Sequence, residues 1–213
     1  MLTARHEFLN RLENMPIVAI LRGIEPFEAV NIGNALLEAG VEIIEVPLNS
    51  PRPFDSIAAL SDAIGQKALI GAGTVLTPAQ VPEVAAAGGR LIVSPNTDAA
   101  VIQTARNEGM AVIPGFTTPS EALAAIYAGA DALKLFPAEN CPPKVLKAML
   151  AVLPLGTPVL AVGGISVNNM QEYWTAGARG FGIGSSLYQP GNEPDDILTS
   201  ASTFASKAKG LAN

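Results

Sequence analysis

Short apolar runs recur along the whole chain and alternate with longer stretches that mix apolar and polar residues. The apolar runs contain few polar positions, which is typical of strands in a parallel sheet covered on both faces. We predict eight strands, at 16–22, 41–47, 68–73, 91–93, 111–114, 131–137, 159–162 and 180–183.

The mixed stretches between these runs predict amphipathic helices. Proline near a helix start, such as Pro26, and glycine just past a helix end, such as Gly40, mark their limits. We predict helices at 3–13, 25–40, 51–64, from 77 onward, 97–108, 119–128, 143–153, 168–176 and 194–208.

Eight strand–helix units in 213 residues favour an α/β fold of the compact (β/α)8 TIM-barrel type. The helix at 3–13 precedes the first strand and is therefore an extra N-terminal helix. We expect a single barrel domain over residues 1–213. An open doubly wound sheet is the alternative, but it needs fewer units, and no G-x-G-x-x-G turn follows the first strand.

Composition and charge narrow the function classes. Apolar residues make up 49% of the chain, yet no apolar run reaches the roughly 18 residues that a membrane span needs, and residues 1–13 lack the apolar core of a signal peptide. The formal charge of −6, without a basic block, argues against nucleic-acid binding. We expect a cytoplasmic protein that acts on small molecules, with no membrane or nucleic-acid partner.

The chain has one cysteine, Cys141, and one histidine, His6. A Ser-His-Asp triad of the usual kind and a metal site built from several cysteines or histidines are therefore not expected. Acid–base chemistry must use carboxylates, lysine, tyrosine or bound groups, and we predict no metal and no cofactor.

Lys134 stands inside the apolar run 131–137. A charged amine in such surroundings is costly unless it is paired or its pKa is lowered. A lysine that is partly neutral is a nucleophile toward ketones and can form a Schiff base. The alternative is a structural lysine whose amine reaches solvent from the strand end.

In a TIM barrel the active site lies at the carboxyl ends of the strands. The residues that this rule brings to one mouth are Arg22, Glu45, Thr74, Pro95 with Asn96, Lys134, Gly163 with Gly164, and Gly184 with Ser185. A carboxylate in a strand, such as Glu45, is partly desolvated, so its pKa rises toward the range that suits proton transfer. A salt bridge to Lys134 or Arg22 is the structural alternative.

Two glycine turns follow the predicted seventh and eighth strands, which is where this architecture often binds phosphate. They are Gly163-Gly164 and Gly184-Ser185, although glycine is also common in ordinary turns. Arg22 could bind a substrate carboxylate or pair with Glu45, and Thr74 could donate to the same carboxylate or cap a turn.

Six motifs resemble those of a known family: IVAILRG at 17–23, VEIIEVPLNSP at 41–51, LIGAGTV at 69–75, SPN at 94–96, ALKLFP at 132–137 and AVGGI at 161–165. They are similar to motifs of the class I aldolases of 2-keto-3-deoxy-6-phosphosugar acids. The resemblance covers nearly the whole chain, and the motifs occur in the family order.

The resemblance implies that Lys134 forms the Schiff base, that Glu45 is the proton shuttle and that Thr74 helps to hold the pyruvate portion of the substrate. It implies a phosphate site made by Gly163, Gly164, Gly184 and Ser185. It also implies a homotrimer. The implied reaction needs no metal, because the iminium polarises the substrate. Phe136 is expected either to pack beside the Schiff base or merely to end the strand and fill the core.

Two positions point to one branch of this family. Phosphogluconate-type members typically have arginine where this chain has Asn49 and threonine where it has Val162. Both departures resemble the phosphogalactonate branch, in which the arginine equivalent to Arg22 contacts the substrate acid. The expected reaction is cleavage of 2-dehydro-3-deoxy-6-phosphogalactonate to pyruvate and D-glyceraldehyde 3-phosphate.

Other functions remain open on the residues alone. The same lysine would serve a 2-dehydro-3-deoxy-6-phosphogluconate aldolase or a 4-hydroxy-2-oxoglutarate aldolase. A phosphosugar isomerase could use Glu45 as its base without a covalent lysine adduct. A non-catalytic phosphosugar-binding barrel would account for the glycine turns but would leave Lys134 and Glu45 without a task.

Overall fold

The computed structural model describes residues 3–211. Its strands are β1 Ile17–Ile20, β2 Ile43–Pro47, β3 Leu69–Gly73, β4 Leu91–Val93, β5 Ala111–Ile113, β6 Gly115–Phe116, β7 Leu133–Leu135, β8 Val159–Val162 and β9 Gly180–Ile183. Its α-helices are α1 Ala4–Asn14, α2 Pro26–Glu38, α3 Pro53–Ile64, α4 Gln80–Ala86, α5 Ala99–Asn107, α6 Pro119–Ala128, α7 Pro143–Leu150, α8 Met170–Ala176 and α9 Pro194–Lys209.

All strand pairs are parallel, and the order around the sheet is β5-β4-β3-β2-β1-β9-β8-β7-β6. Because β1 pairs with both β2 and β9, the two halves of the chain join at β1, and β5 and β6 follow each other directly at the other side. The sheet is therefore a nearly closed barrel with helices outside, which confirms the predicted TIM-barrel class and the extra N-terminal helix.

The predicted strand at 131–137 is shorter in the structure, where β7 is Leu133–Leu135. The predicted strand at 111–114 is divided, since the structure has β5 and β6 on either side of Pro114. Proline has no N–H to donate to a neighbouring strand. The N–H of Val112 donates to the carboxylate of Asp131 at 3.0 Å instead of to a backbone carbonyl. Lys134 N–H still donates to Pro114 O at 2.9 Å, so the two short strands together occupy the fifth barrel position.

Helix α1 closes the amino end of the barrel. Its apolar face, with Phe8 fully buried and Leu12 4% exposed, packs in one cluster with side chains from inside the barrel, among them Val18, Leu69 and Leu91. Arg11 anchors the polar side of the helix by donating to Glu42 and to the carbonyl of Lys67. Glu42 is thus the partner of a helix arginine at the end opposite the predicted site.

A larger apolar core, separate from the cluster inside the barrel, lies between the sheet and the helices. The strands are therefore buried on both faces. This explains why the strands read as nearly continuous apolar runs. Within residues 3–211, no helix combines the length and the apolar character that crossing a membrane requires.

Candidate active site

Lys134 is the middle residue of β7, and its side chain enters the barrel from the wall. The residue is 5% exposed, and its Nζ lies 4.9 Å from the centre of the Phe136 ring. Burial lowers the pKa of Lys134, the nearby charge of Glu45 raises it, and that of Arg22 lowers it further. The net direction is downward, which increases the fraction of neutral amine at a given pH.

Glu45 lies in β2 and lines the same interior space as Lys134. It is 1% exposed, and its Oε2 is buried without a hydrogen-bond partner. Burial raises the pKa of Glu45 to about 7, although the charges of Lys134 and Arg22 act in the opposite direction. A carboxyl group with this pKa can both accept and release a proton near neutral pH.

The predicted alternative for Glu45 was a salt bridge to Lys134 or Arg22. Among the ion pairs of residues 3–211 that lie within 4.0 Å, neither pair occurs. Lys134 and Glu45 nevertheless line the same narrow interior space together with the side chains of Val18, Ile113 and Leu160. Each group therefore affects the pKa of the other without forming an ion pair with it.

Gly73, the last residue of β3, makes room for the Glu45 carboxylate. A Cβ atom at this position would lie 1.7 Å from Glu45 Oε2 and 2.3 Å from its Cδ. No side chain other than hydrogen fits there while Glu45 keeps its position. The GAGT sequence therefore contributes space at Gly73 as well as the hydroxyl of Thr74.

Thr74 directly follows, with φ of +56°. A β-branched residue in the left-handed region is strained, and such strain concentrates at functional sites. Its Oγ1 accepts a hydrogen bond from Arg22 Nη2 at 3.4 Å. Arg22 also donates to Oδ1 of Asn49, so the ends of β1, β2 and β3 are linked at the barrel mouth.

A cavity of about 130 Å³ opens at this mouth. It is lined by eight of the residues predicted from the sequence: Arg22, Lys134, Phe136, Val162, Gly163, Gly164, Gly184 and Ser185. Glu45 and Lys134 both line the interior space beneath this cavity. The convergence expected at the carboxyl ends of the strands is therefore present.

The two glycine turns lie side by side at one wall of this cavity. Gly163 and Gly164 have φ of +97° and +68°, a conformation that glycine adopts without strain. Ser186 Oγ donates to the carbonyl of Ile165 at 3.2 Å, which ties the turn after β9 to the turn after β8. The arrangement offers backbone N–H groups and the exposed Ser185 hydroxyl to an anion.

Pro95, like Thr74 and Asn96, lines neither of the two spaces around Lys134. It follows β4 at the carboxyl end of the barrel, and its carbonyl approaches Gly115 so closely that a Cβ there would lie 2.2 Å from Pro95 O. Its position fits the rim of the mouth.

The structure also adds residues that the sequence reasoning had not assigned to the site. Gly73 and Asn49 act through contacts between different strands, and Ile20 and Gly182 line the cavity from β1 and β9. For Ile20 and Gly182 the sequence did contain a signal, because residues two apart in a strand face the same side.

A wider cleft, of about 530 Å³, lies between α2 and the loop at 190–194. Its acidic residues Glu25, Glu28 and Glu193 belong to helix-capping arrangements. The cleft contains no lysine or cysteine, so the smaller cavity around Lys134 is the better candidate for covalent chemistry. Within residues 3–211, no group of three or more His, Cys, Asp or Glu is arranged to hold a metal ion.

Comparisons with known proteins identify relatives of this chain. The family model described as KDPG and KHG aldolase matches residues 8–197. A probable 2-dehydro-3-deoxy-6-phosphogalactonate aldolase of Rhizobium meliloti (strain 1021) is 51% identical over 182 residues, which are 85% of this chain and 86% of that protein. The 2-dehydro-3-deoxy-6-phosphogalactonate aldolase of Escherichia coli (strain K12) is 47% identical over 190 residues, or 89% and 93% of the two chains.

A solved structure, described as native KDPGal, has a TM-score of 0.91 and 45% identity to this chain, and the match covers 93% of this chain and 96% of the other. The six sequence motifs, the barrel and the buried lysine are thus found together with a family match over most of the chain. The chain belongs to the KDPG and KHG aldolase family, whose members are class I Schiff-base aldolases.

Proposed function

We propose that the enzyme cleaves 2-dehydro-3-deoxy-6-phosphogalactonate to pyruvate and D-glyceraldehyde 3-phosphate through a Schiff base on Lys134. The observation that carries the proposal is the pair of buried groups in the barrel. The pKa of Lys134 is lowered, and that of Glu45 is raised to about 7. A nucleophile and an acid–base group are thereby available together near neutral pH.

The reaction begins when Lys134 Nζ attacks the C2 ketone and water leaves, which gives an iminium. Glu45, directly or through a water molecule, removes the proton from the C4 hydroxyl. The C3–C4 bond breaks, its electron pair moves into the iminium to give an enamine, and the aldehyde departs. Protonation of enamine C3, to which Glu45 contributes, and hydrolysis release pyruvate and restore the free lysine.

The remaining residues hold the two anionic ends of the substrate. Arg22 and Thr74 bind the carboxylate of the pyruvate portion. The two glycine turns bind the phosphate through Gly163, Gly164, Gly184 and Ser185. Phe136 and Val162 form the wall beside the imine, and Pro95 shapes the rim.

Val162 and Asn49 support the galactonate epimer over the gluconate epimer. Val162 is 6% exposed and lies against Gly182, where a Cβ would be 2.8 Å from Val162 Cγ2. An apolar side chain at this wall offers no hydrogen bond to a substrate hydroxyl, whereas a threonine would. The relatives above 45% identity bear the phosphogalactonate name, which favours the same branch.

One experiment tests both the reaction class and the branch. The protein is incubated with the galactonate and gluconate phosphosugar acids separately, with and without borohydride, and intact mass and pyruvate release are recorded. A pyruvate adduct with release mainly from the galactonate epimer is expected, and Lys134→Met should abolish the adduct.

Equal release from the two epimers would keep the Schiff-base reaction but remove the argument from Val162 and Asn49. Turnover without an adduct would favour an isomerase that uses Glu45 as base. Binding of either acid without turnover would favour a non-catalytic barrel. An adduct that persists in Lys134→Met would place the nucleophile on another residue.

We also propose that the enzyme is a cytoplasmic homotrimer. The motif resemblance supports the trimer, and phosphorylated substrates, which cross membranes poorly because of their charge, suit a cytoplasmic location. The chain mass is 21.9 kDa, so three copies correspond to about 66 kDa. Light scattering after gel filtration measures this mass directly, and a value near 22 kDa would contradict the trimer.

A further inference from the structure

Arg22 stands at the mouth of the barrel on an exposed side chain. A long arginine side chain loses rotamer freedom when it is fixed against a ligand. An arginine that is already held in the binding orientation avoids part of that cost, so affinity rises without any new contact to the ligand. The groups that hold Arg22 therefore affect binding even if they do not touch the substrate.

Two side chains from neighbouring strand ends hold the guanidinium. Nη1 donates to Oδ1 of Asn49, and Nη2 donates to Oγ1 of Thr74 at 3.4 Å. A guanidinium has five N–H donors, so these two bonds leave three for an anion. The guanidinium is thus held by two neighbouring side chains and keeps further N–H donors for an anion.

The backbone beneath Arg22 is held by the same turn that carries Asn49. The next residue, Ser50, is 7% exposed, and its Oγ accepts from the N–H of Gly23 at 2.9 Å. Gly23 has φ of +86°, which directs the chain sharply away after Arg22. The turn after β2 therefore fixes both the backbone and the side chain of the turn after β1.

The chemical type of residue 49 also matters. An amide oxygen accepts the hydrogen bond and leaves the full positive charge of Arg22 available to an anion. A carboxylate at the same place would form an ion pair with Arg22 and compete with the ligand for it.

We propose that Asn49 is a positioning residue, which holds Arg22 in the orientation that receives the carboxylate of the bound ketoacid. This inference rests on the proposed function, because it assumes that Arg22 binds that carboxylate while Lys134 forms the imine. Asn49 then acts on the affinity for ketoacids and not on the attack by Lys134.

The test compares two ketones that differ in the carboxylate alone. Pyruvate and acetone both lose water to form an imine with Lys134, and borohydride reduces either imine to a stable secondary amine. Acetone has a methyl group where pyruvate has the carboxylate. The concentration of each that gives half-maximal trapping is measured by intact mass for the wild type, Asn49→Ala, Asn49→Asp and Arg22→Met.

Asn49→Ala should require about tenfold more pyruvate, on the scale of the rotamer freedom that Arg22 regains, and an unchanged concentration of acetone. Asn49→Asp should require still more pyruvate. Adding Asn49→Ala to Arg22→Met should cause no further loss. Asn107→Ala, an exposed asparagine at the end of α5, is the matched control and should match the wild type.

Failure of the proposed function and failure of the positioning role alone would give different results. A wild type that pyruvate does not label would contradict the proposed function, and this inference with it. Normal pyruvate trapping in Asn49→Ala, with a loss in Arg22→Met, would overturn the positioning role alone. An equal loss with pyruvate and acetone would show that Asn49 supports the turn and not the ketoacid, which also overturns it. Asn49 is exposed, so its replacement should leave the fold intact.

Discussion

The burial that suits Glu45 to its proposed role in proton transfer also lowers the stability of the fold. Its carboxyl group is buried beside Lys134, so its charged form is costly and its pKa is raised to about 7. A group whose folded-state pKa lies above its unfolded value binds protons more tightly in the folded state. The free energy of unfolding therefore falls as the pH rises from about 4.5 through about 7.

Glu45→Gln should accordingly be more stable than the wild type at pH 8, by up to about 3 kcal/mol on the scale of 1.36 kcal/mol per pKa unit. At pH 4 the carboxyl group is protonated in both states, and the difference should largely vanish. Urea unfolding of both proteins at the two pH values measures this. A variant that is less stable than the wild type at pH 8 would mean that the charge of Glu45 is well compensated.

The turnover of Glu45→Gln should be slower than that of the wild type, while the pyruvate adduct still forms.

Gly73 offers a test of the space behind Glu45. In Gly73→Ala the new methyl group overlaps the carboxylate, which must move by about 1 Å or more, and a displacement of that size can cost about 100-fold in rate. Steady-state kinetics should show a fall in kcat of that order, whereas borohydride trapping of pyruvate on Lys134 should persist. An unchanged kcat would show that Glu45 acts from another position.

The chemically reactive residues of the site could be predicted from the sequence because each is anomalous where it stands. Lys134 and Glu45 are charged positions within apolar strands, and the glycine turns occupy fixed places in the barrel. The supporting contacts could not be predicted in the same way. The close approach of Gly73 to Glu45 and the hydrogen bond from Arg22 to Asn49 depend on distances between separate strands. No spacing along the chain specifies these distances.

At the scale of elements, α1 covers the amino end of the barrel interior. Phe8 contributes a large, fully buried side chain to the interior cluster. Phe8→Ala should lower the free energy of unfolding by about 3 to 5 kcal/mol, as is usual for large-to-small changes in a core. Phe27→Ala is the matched control, because Phe27 is 81% exposed, and it should change stability by no more than about 0.5 kcal/mol.

Chemical unfolding followed by circular dichroism measures both variants. Because Phe8 lies at the end of the barrel opposite the cavity, the KM of the folded Phe8→Ala protein should stay near that of the wild type. A large change in KM with little change in stability would contradict the placement of α1 at the amino end of the barrel.

Most element bounds followed from the alternation of apolar runs and amphipathic stretches, as in β4, α6, β8 and β9. The fifth strand position did not, because an apolar run does not show which N–H groups find partners. Pro114 has none to offer, and Asp131 supplies a side-chain acceptor to the adjacent strand, so the run divides into β5 and β6.

At the scale of the whole molecule, stability and chemistry occupy opposite ends of one barrel. The amino end is packed with the apolar face of α1 and held by ion pairs, such as those of Arg11 with Glu7 and Glu42. The carboxyl end carries a strained threonine and a buried carboxyl oxygen without a partner. The strain and desolvation at the mouth are tolerable because the cores elsewhere are closely packed.

The interruption at Pro114 indicates where the wall of the barrel opens most readily. β5 and β6, on either side of Pro114, are the two ends of the sheet, and each pairs with one neighbouring strand. The neighbour of β6 is β7, where the N–H of Lys134 donates to Pro114 O at 2.9 Å. Amide hydrogens of β5 and β6 should therefore exchange with deuterated solvent sooner than those of β1 and β2, which are paired on both sides. A reduced pyruvate adduct on Lys134 should slow that exchange in β6, so the proposed intermediate would restrain the strand that neighbours its own lysine.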